Sequence, residues 1–188
     1  MKELKTYKAA SNVSVKTVKK QKPFQQGGLD SLCGIYCLVN VVHYLYGPLN
    51  KHKAQKLLVE NISHLNHRYD ATVRIMEGTS TTEIACALDN VVAKRYHFHR
   101  RMPFRCKKVG LNIFWNHMRD FLENNHGIIL LGIYEHWTLV KKVTDRSLML
   151  FDSDRMVRIY RSNCTTSRTH SGNKLVLYPA RTYYIWTD

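Results

Sequence analysis

From Ile128 onward the sequence breaks into short apolar runs at 128–133, 136–143, 147–152, 155–160, 174–179 and 182–187, most of them two or three residues apart. Gaps that short admit hairpin turns but no crossover helix, so successive runs are expected to pair antiparallel. Upstream the apolar residues follow a helical period. Leu32, Ile35, Tyr36, Val39, Val42 and Tyr46 recur at helical spacing until Gly47-Pro48 stops the run, which predicts a helix with one buried face. A second helix is expected over 51–65. Ser80 and Glu83 form a capping-box pattern ahead of a stripe of Ile84, Ala87, Leu88, Val91 and Val92. Another helix follows Gly110-Leu111-Asn112, with Ile113, Phe114, Met118, Phe121 and Leu122 inward and Gly127 ending it. Helices first and antiparallel sheet last make an α+β chain. With 188 residues, 44% of them hydrophobic, it can bury one sizeable core. One domain is expected over 23–188, behind a basic arm at 1–22 that is either unstructured or holds a short strand at 13–18.

Chemistry enters at the start of the first helix. Gln25-Gln26-Gly27-Gly28 leads through Asp30 and Ser31 to Cys33, so Asp30 or Ser31 can cap the helix and Cys33 falls in its first turn. A thiol of pKa about 8.5 is mostly protonated at neutral pH, and a helix N-terminus or a nearby imidazolium favours the reactive thiolate. A cysteine in an apolar helix is more commonly a small buried hydrophobe. Cys37, one turn further on, suits that role. His136 opens the strand HWTLV, in which Trp137 and Leu139 face one side and Thr138 and Val140 the other. After a turn near Asp145-Arg146 the run SLMLFD returns and delivers Asp152 beside His136, where a carboxylate fixes the tautomer and orientation of a catalytic imidazole. Gln26 offers a side-chain N–H that, with the backbone N–H of Cys33, can line an oxyanion hole, worth roughly 3 kcal/mol per donor.

The order Gln26, Cys33-Gly34, His136 followed by Trp-Thr-Leu-Val, and Asp152 sixteen residues after the histidine resembles papain-like cysteine peptidases, the bacteriocin-processing peptidase domains most of all. The likeness spans about 130 residues and is carried by short motifs. HWTLV and FDSD also resemble ubiquitin-like-protein proteases, but those place the histidine before the cysteine. The resemblance implies a papain-like fold, with the nucleophile helix packed on the sheet, and a Cys33-His136-Asp152 triad with Gln26 as oxyanion donor. It departs from the family in placing Gln26 seven residues before the cysteine rather than six, and in following Asp152 with Ser153-Asp154, which makes Asp154 a rival third member. The implied activity is cleavage of a peptide or isopeptide bond. The same triad performs transglutamination or deamidation with other reactants.

A net charge of +15 and a pI near 9.7 point to a negatively charged partner. The densest stretch, 93–108, holds seven Lys or Arg interleaved with Tyr96, Phe98 and Phe104. It reads first as a half-buried strand with solvated cations and second as a nucleic-acid surface that stacks bases on its rings. An acidic peptide or protein substrate is the expected partner. A catalytically silent basic module and a peptide-holding adaptor are the non-enzymatic alternatives. The five cysteines lack disulfide-type spacing, and no run approaches 18 apolar residues, so a reducing, cytoplasmic setting without a membrane span is expected, with export as an effector left open. Neither Cys33 with Cys37 nor His97 with His99 and Cys106 matches a structural-zinc spacing, and no metal or cofactor is expected.

Overall fold

The computed structural model describes residues 21–67, 70–168 and 172–188. The basic arm expected over 1–22 lies outside them apart from Gln21 and Lys22, as does the strand at 13–18. The described helices are α1 (Cys33–Leu45), α2 (Lys51–Asn66), α3 (Ala71–Glu77), α4 (Thr81–Ala87) and α5 (Leu111–Asn124), with a π-helical turn, Leu88–Val92, continuing α4. The strands are β1 (His99–Arg101), β2 (Gly127–Ile133), β3 (His136–Val143), β4 (Ser147–Leu150), β5 (Arg158–Tyr160), β6 (Cys164–Thr165) and β7 (Leu175–Trp186). Across the sheet they run β1-β7-β2-β3-β4-β5, every neighbouring pair antiparallel, while β6 lies parallel beside β7. The α+β expectation therefore holds. No helix among the described residues is long and apolar enough to cross a membrane.

Both faces of the sheet are covered, which explains why β2 reads as an unbroken apolar run. Ile128 and Leu130 pack with α1, α2 and α4, whereas Ile129, Leu131 and Ile133 pack with α5. In β3, Trp137 and Leu139 join the first cluster and Val140 and Val143 the second, as the alternation predicted. The helix α1 is wedged between the sheet and the other helices. It buries Leu38 and Val41 as fully as Ile35 and Val42, so the expected single face is in fact nearly the whole circumference, while Tyr46 is 41% exposed.

Several local expectations needed correction. Neither Asp30 nor Ser31 caps α1. Leu32 occupies that position without a side-chain bond, because Asp30 turns back to accept from the N–H groups of Gly27 and Leu32, and Ser31 bonds the carbonyls of Ile75 and Met76. Those carbonyls belong to α3, a short helix the sequence reading missed, capped by Asp70. In α5, Trp115 is fully buried and Ile113 is 64% exposed, since 114, 115, 118 and 121 make the helical stripe. Gly127 opens β2 instead of ending α5; a Cβ there would meet the Ile185 carbonyl oxygen at 2.9 Å. The runs at 174–179 and 182–187 are one strand, β7, interrupted by a bulge. Of 93–108 only His99–Arg101 pairs in the sheet. Tyr96 and Phe98 pack half-buried against the first core cluster and Phe104 is buried in the second, so these rings are turned to the core rather than offered for base stacking.

Among the described glycines, Gly34 leaves the least room for a side chain. A Cβ on it would meet Thr79 Oγ1 at 2.0 Å, Ile84 Cδ1 at 2.8 Å and Trp137 Cδ1 at 3.2 Å. Replacing a glycine inside a helix by alanine ordinarily stabilises by up to about 1 kcal/mol, and less in the first turn, where Gly34 stands. Here the overpacking is expected to reverse the sign, and Gly34→Ala should destabilise by roughly 1–3 kcal/mol in urea unfolding. A neutral or stabilising result would mean that α1 does not approach Thr79 and Ile84 this closely.

Candidate active site

Three separate segments meet beside Gly34. The helix α1 presents Cys33 as its first residue, and the first-turn N–H groups have no side-chain acceptor because Leu32 stands where a cap would be. The hairpin β2–β3 turns through Tyr134 and Glu135, with Ile133 paired to His136, so His136 enters the site on the first residue of a strand. Glu135 adopts a positive φ of 44° to close that turn. The return strand β4 pairs with β3 at Val140–Leu150, and the N–H of Phe151 bonds the carbonyl of Leu139. That register leaves Asp152 one residue beyond the ladder, beside His136.

His136 Nε2 lies 2.8 Å from Asp152 Oδ2, and the Cys33 thiol, whose own long hydrogen bond goes to the Ser31 carbonyl at 4.0 Å, is close enough to favour the charged imidazole. With Nε2 engaged by the carboxylate, Nδ1 is the nitrogen left for sulfur. Asp152 is fully buried as a side chain, yet its second oxygen is satisfied, Oδ1 accepting from the N–H of Asp154 at 2.7 Å and of Met156 at 3.2 Å. Burial would push this carboxyl up, but the bond to His136 and the backbone N–H of Asp154 outweigh it and hold the group below the ordinary carboxylate value. At His136 burial opposes the imidazolium. The bond to Asp152, its negative charge and the neighbouring Cys33 overcome that and carry its pKa up to about 10. The shift favours the charged imidazolium on the side of the ring that faces the cleft. Asp154 is exposed, and its backbone serves Asp152; it does not replace it.

Cys37 has a different setting. Its thiol donates to the Trp137 carbonyl at 3.2 Å, and burial, reinforced by Cys33 and Asp152, raises its pKa well above the usual thiol value. It is a core residue. A second thiol–imidazole contact occurs between Cys86 and His64 Nε2 at 3.3 Å, but Cys86 sits inside a continuous helical run rather than at a helix start.

Gln26 arrives on a strap that runs across α1. The buried Asn40 holds it at both backbone groups of Phe24, accepting from the N–H at 2.8 Å and donating to the carbonyl at 3.0 Å. The N–H of Gln26 then bonds the Ser153 carbonyl at 3.0 Å, and Ser153 Oγ donates to Gln26 Oε1 at 3.4 Å. Anchoring the amide oxygen leaves its N–H₂ end to donate elsewhere. Gln25 cannot serve instead, since its Nε2 is committed to the carbonyls of Pro23 and Asp152. Nothing in the sequence announced Asn40 as the tie for this strap.

All four expected residues are thus brought to one place. Gln26, Cys33 and His136 line a single cleft of about 880 Å³, and Asp152 lies behind His136. Thr79, Trp137, Tyr178 and Arg181 also line it. Trp137 donates from its indole to the Thr79 carbonyl at 2.8 Å, which ties the loop before α4 to the strand that carries His136. Among the described residues, no group of three or more His, Cys, Asp or Glu side chains is placed to hold a metal ion. No protein-family model, curated protein or solved structure matches the chain.

Proposed function

We propose that the chain is a thiol hydrolase of papain-like arrangement that cleaves a peptide or isopeptide bond. The observation that carries this reading is an imidazole hydrogen-bonded to a buried, backbone-satisfied carboxylate and sharing one cleft with a cysteine that opens a helix and favours its charged form. The charged pair of Cys33 thiolate and His136 imidazolium is the reactive form. Sulfur attacks the carbonyl carbon, and the oxyanion that develops accepts from the Cys33 N–H and the Gln26 amide. As the C–N bond breaks, His136 gives its proton to the departing amine and a thioester remains. Water then attacks, His136 takes its proton, the C–S bond breaks and the acid leaves. An amine in place of water would make the same site a transglutaminase, and a glutamine side chain as substrate would make it a deamidase.

The site can be tested without a substrate by alkylation with iodoacetamide, read by mass spectrometry from acidic to mildly alkaline pH. Cys33 should label fastest below neutral pH, ahead of exposed Cys106 and of Cys86, and His136→Ala should slow it by about tenfold or more. Labelling of Cys33 that rises only where Cys106 does would sink the reading.

The charge on His136 gives a second test. A raised pKa means the imidazolium contributes fully below the ordinary histidine value of 6.5 and is lost as pH rises through about 10. Removing the carboxylate removes the first favourable cause of that rise. Followed by NMR, the His136 ring should titrate at a lower pH in Asp152→Asn than in the wild type. An unchanged titration would show that Asp152 does not govern the imidazole.

A further inference from the structure

The strand β7 does not pair evenly with β2. Leu131 pairs with Thr182 but Gly132 pairs with Tyr178, which leaves Pro179, Ala180 and Arg181 outside the ladder. Bulges of this kind re-aim a side chain next to functional sites. The opposing residue is a glycine that leaves room for it, since a Cβ on Gly132 would meet Arg181 Cβ at 2.9 Å and its carbonyl oxygen at 3.1 Å. Arg181 consequently lies against two rings, its guanidinium carbon 5.1 Å from the centroid of Trp137 and 5.4 Å from that of Tyr178. Trp137 is the residue after His136, and its ring packs on Gly34 beside Cys33. Stacking holds the plane of a guanidinium while its N–H donors point outward along that plane.

Those donors have no carboxylate partner among the described residues. By contrast, Arg74, Arg95, Arg100 and Arg119 pair with Glu83, Glu60, Asp89 and Asp145. Every other charged residue lining the cleft, apart from His136 itself, is an acid: Asp30, Glu77, Glu135 and Asp154. A cleft of that composition repels anions except at one point. On the reading of the site as a thiol hydrolase, we infer that Arg181 is a specificity residue whose guanidinium fork binds one carboxylate of the substrate, at a fixed position relative to the bond attacked by Cys33. The carboxylate is either an Asp or Glu side chain or the terminal carboxylate of a short leaving peptide.

Peptide alkylators that use Cys33 as reporter test this without a known substrate. One series carries an N-terminal chloroacetyl cap and the other a C-terminal chloromethyl ketone, each with a single Asp, Asn or Lys walked through successive positions. The chloroacetyl series is made both as C-terminal acid and as amide, which separates a side-chain from a terminal carboxylate. In the wild type, Asp, or the free acid, should label Cys33 about tenfold faster than its neutral counterpart at one position only, as expected for a charge-assisted fork. The ratio is read within each variant. Arg181→Gln should flatten it and Arg181→Glu should reverse it in favour of Lys; thermal melting checks that both fold, and Arg181→Gln alone decides if the reversal variant does not. The net positive charge of the protein would favour acids at every position alike, so a preference without position dependence, or the same preference in all three proteins, overturns the assignment. If iodoacetamide singles out Cys33 and the peptides show no such preference, only Arg181 loses its role. If iodoacetamide fails to single out Cys33, the thiol-hydrolase reading fails first.

Discussion

The site depends on the close packing around Gly34, where Thr79, Ile84 and Trp137 together leave no room for a Cβ on α1. Cys33 is covalently next to Gly34, and His136 is next to Trp137. The placing of sulfur and imidazole is therefore coupled to how the helix packs on Thr79, Ile84 and the indole ring. Thr79 and Ile84 close the same space from α4 and the loop before it, and the Trp137 indole holds that loop by its bond to the Thr79 carbonyl. A side chain at 34 would push these three elements apart together, so packing at this point and geometry at the site are one constraint. Interiors packed to crystal density transmit such a displacement rather than absorb it.

Burial and charge pull in opposite directions at the centre of the site, and the hydrogen bonds decide the outcome. A buried imidazole would be neutral and a buried carboxyl protonated if each stood alone. Joined at 2.8 Å, with both Asp152 oxygens supplied with donors, each shifts the other toward its charged form. The carboxylate draws two of its donors from the backbone of the turn that follows β4, so the chain segment that delivers the aspartate also stabilises its charge. The ordinary penalty for an unpaired buried ion is avoided by local main-chain geometry rather than by a further side chain.

Elements with strong periodicity or end signals were legible from sequence. The extent of α1, the capping box at Ser80 and Glu83, and the hairpins of β2 to β4 all rest on interactions between residues near in the chain. For the same reason Cys33, His136 and Asp152 could be nominated together: one opens a helix, one opens a strand, and the third follows the next strand of the same hairpin. What escaped was decided by distant partners. The cap of α1 went to Leu32 because α3 claims Ser31, and α3 itself has too short a run to show a period. The bulge in β7 follows from the missing side chain at Gly132, some fifty residues earlier, which no local pattern at 179–181 announces. Asn40 looked like a polar interruption in an apolar helix. Only the strap carrying Phe24 and Gln26 explains it.

The charge on this protein has two scales that need not agree. Over the whole chain lysine and arginine exceed the acids by fifteen, a field that acts at a distance and raises the encounter rate with anionic partners. Within the cleft the balance inverts, carboxylates outnumbering the one permanent cation among its lining residues. Long-range steering and short-range selection are separable in this way because screening removes the former within about 10 Å at moderate salt, whereas a partly enclosed fork is screened much less. A partner drawn in by its overall negative charge must still present mostly neutral or basic groups to Asp30, Glu77, Glu135 and Asp154. The basic stretch at 93–108 fits the long-range role: its rings are turned to the core, while cations such as Arg101, Arg105, Lys107 and Lys108 stay exposed. On the proposed reading, net charge bears on which molecules arrive, and the handful of charges around Cys33 and His136 bear on which bond is presented to the sulfur.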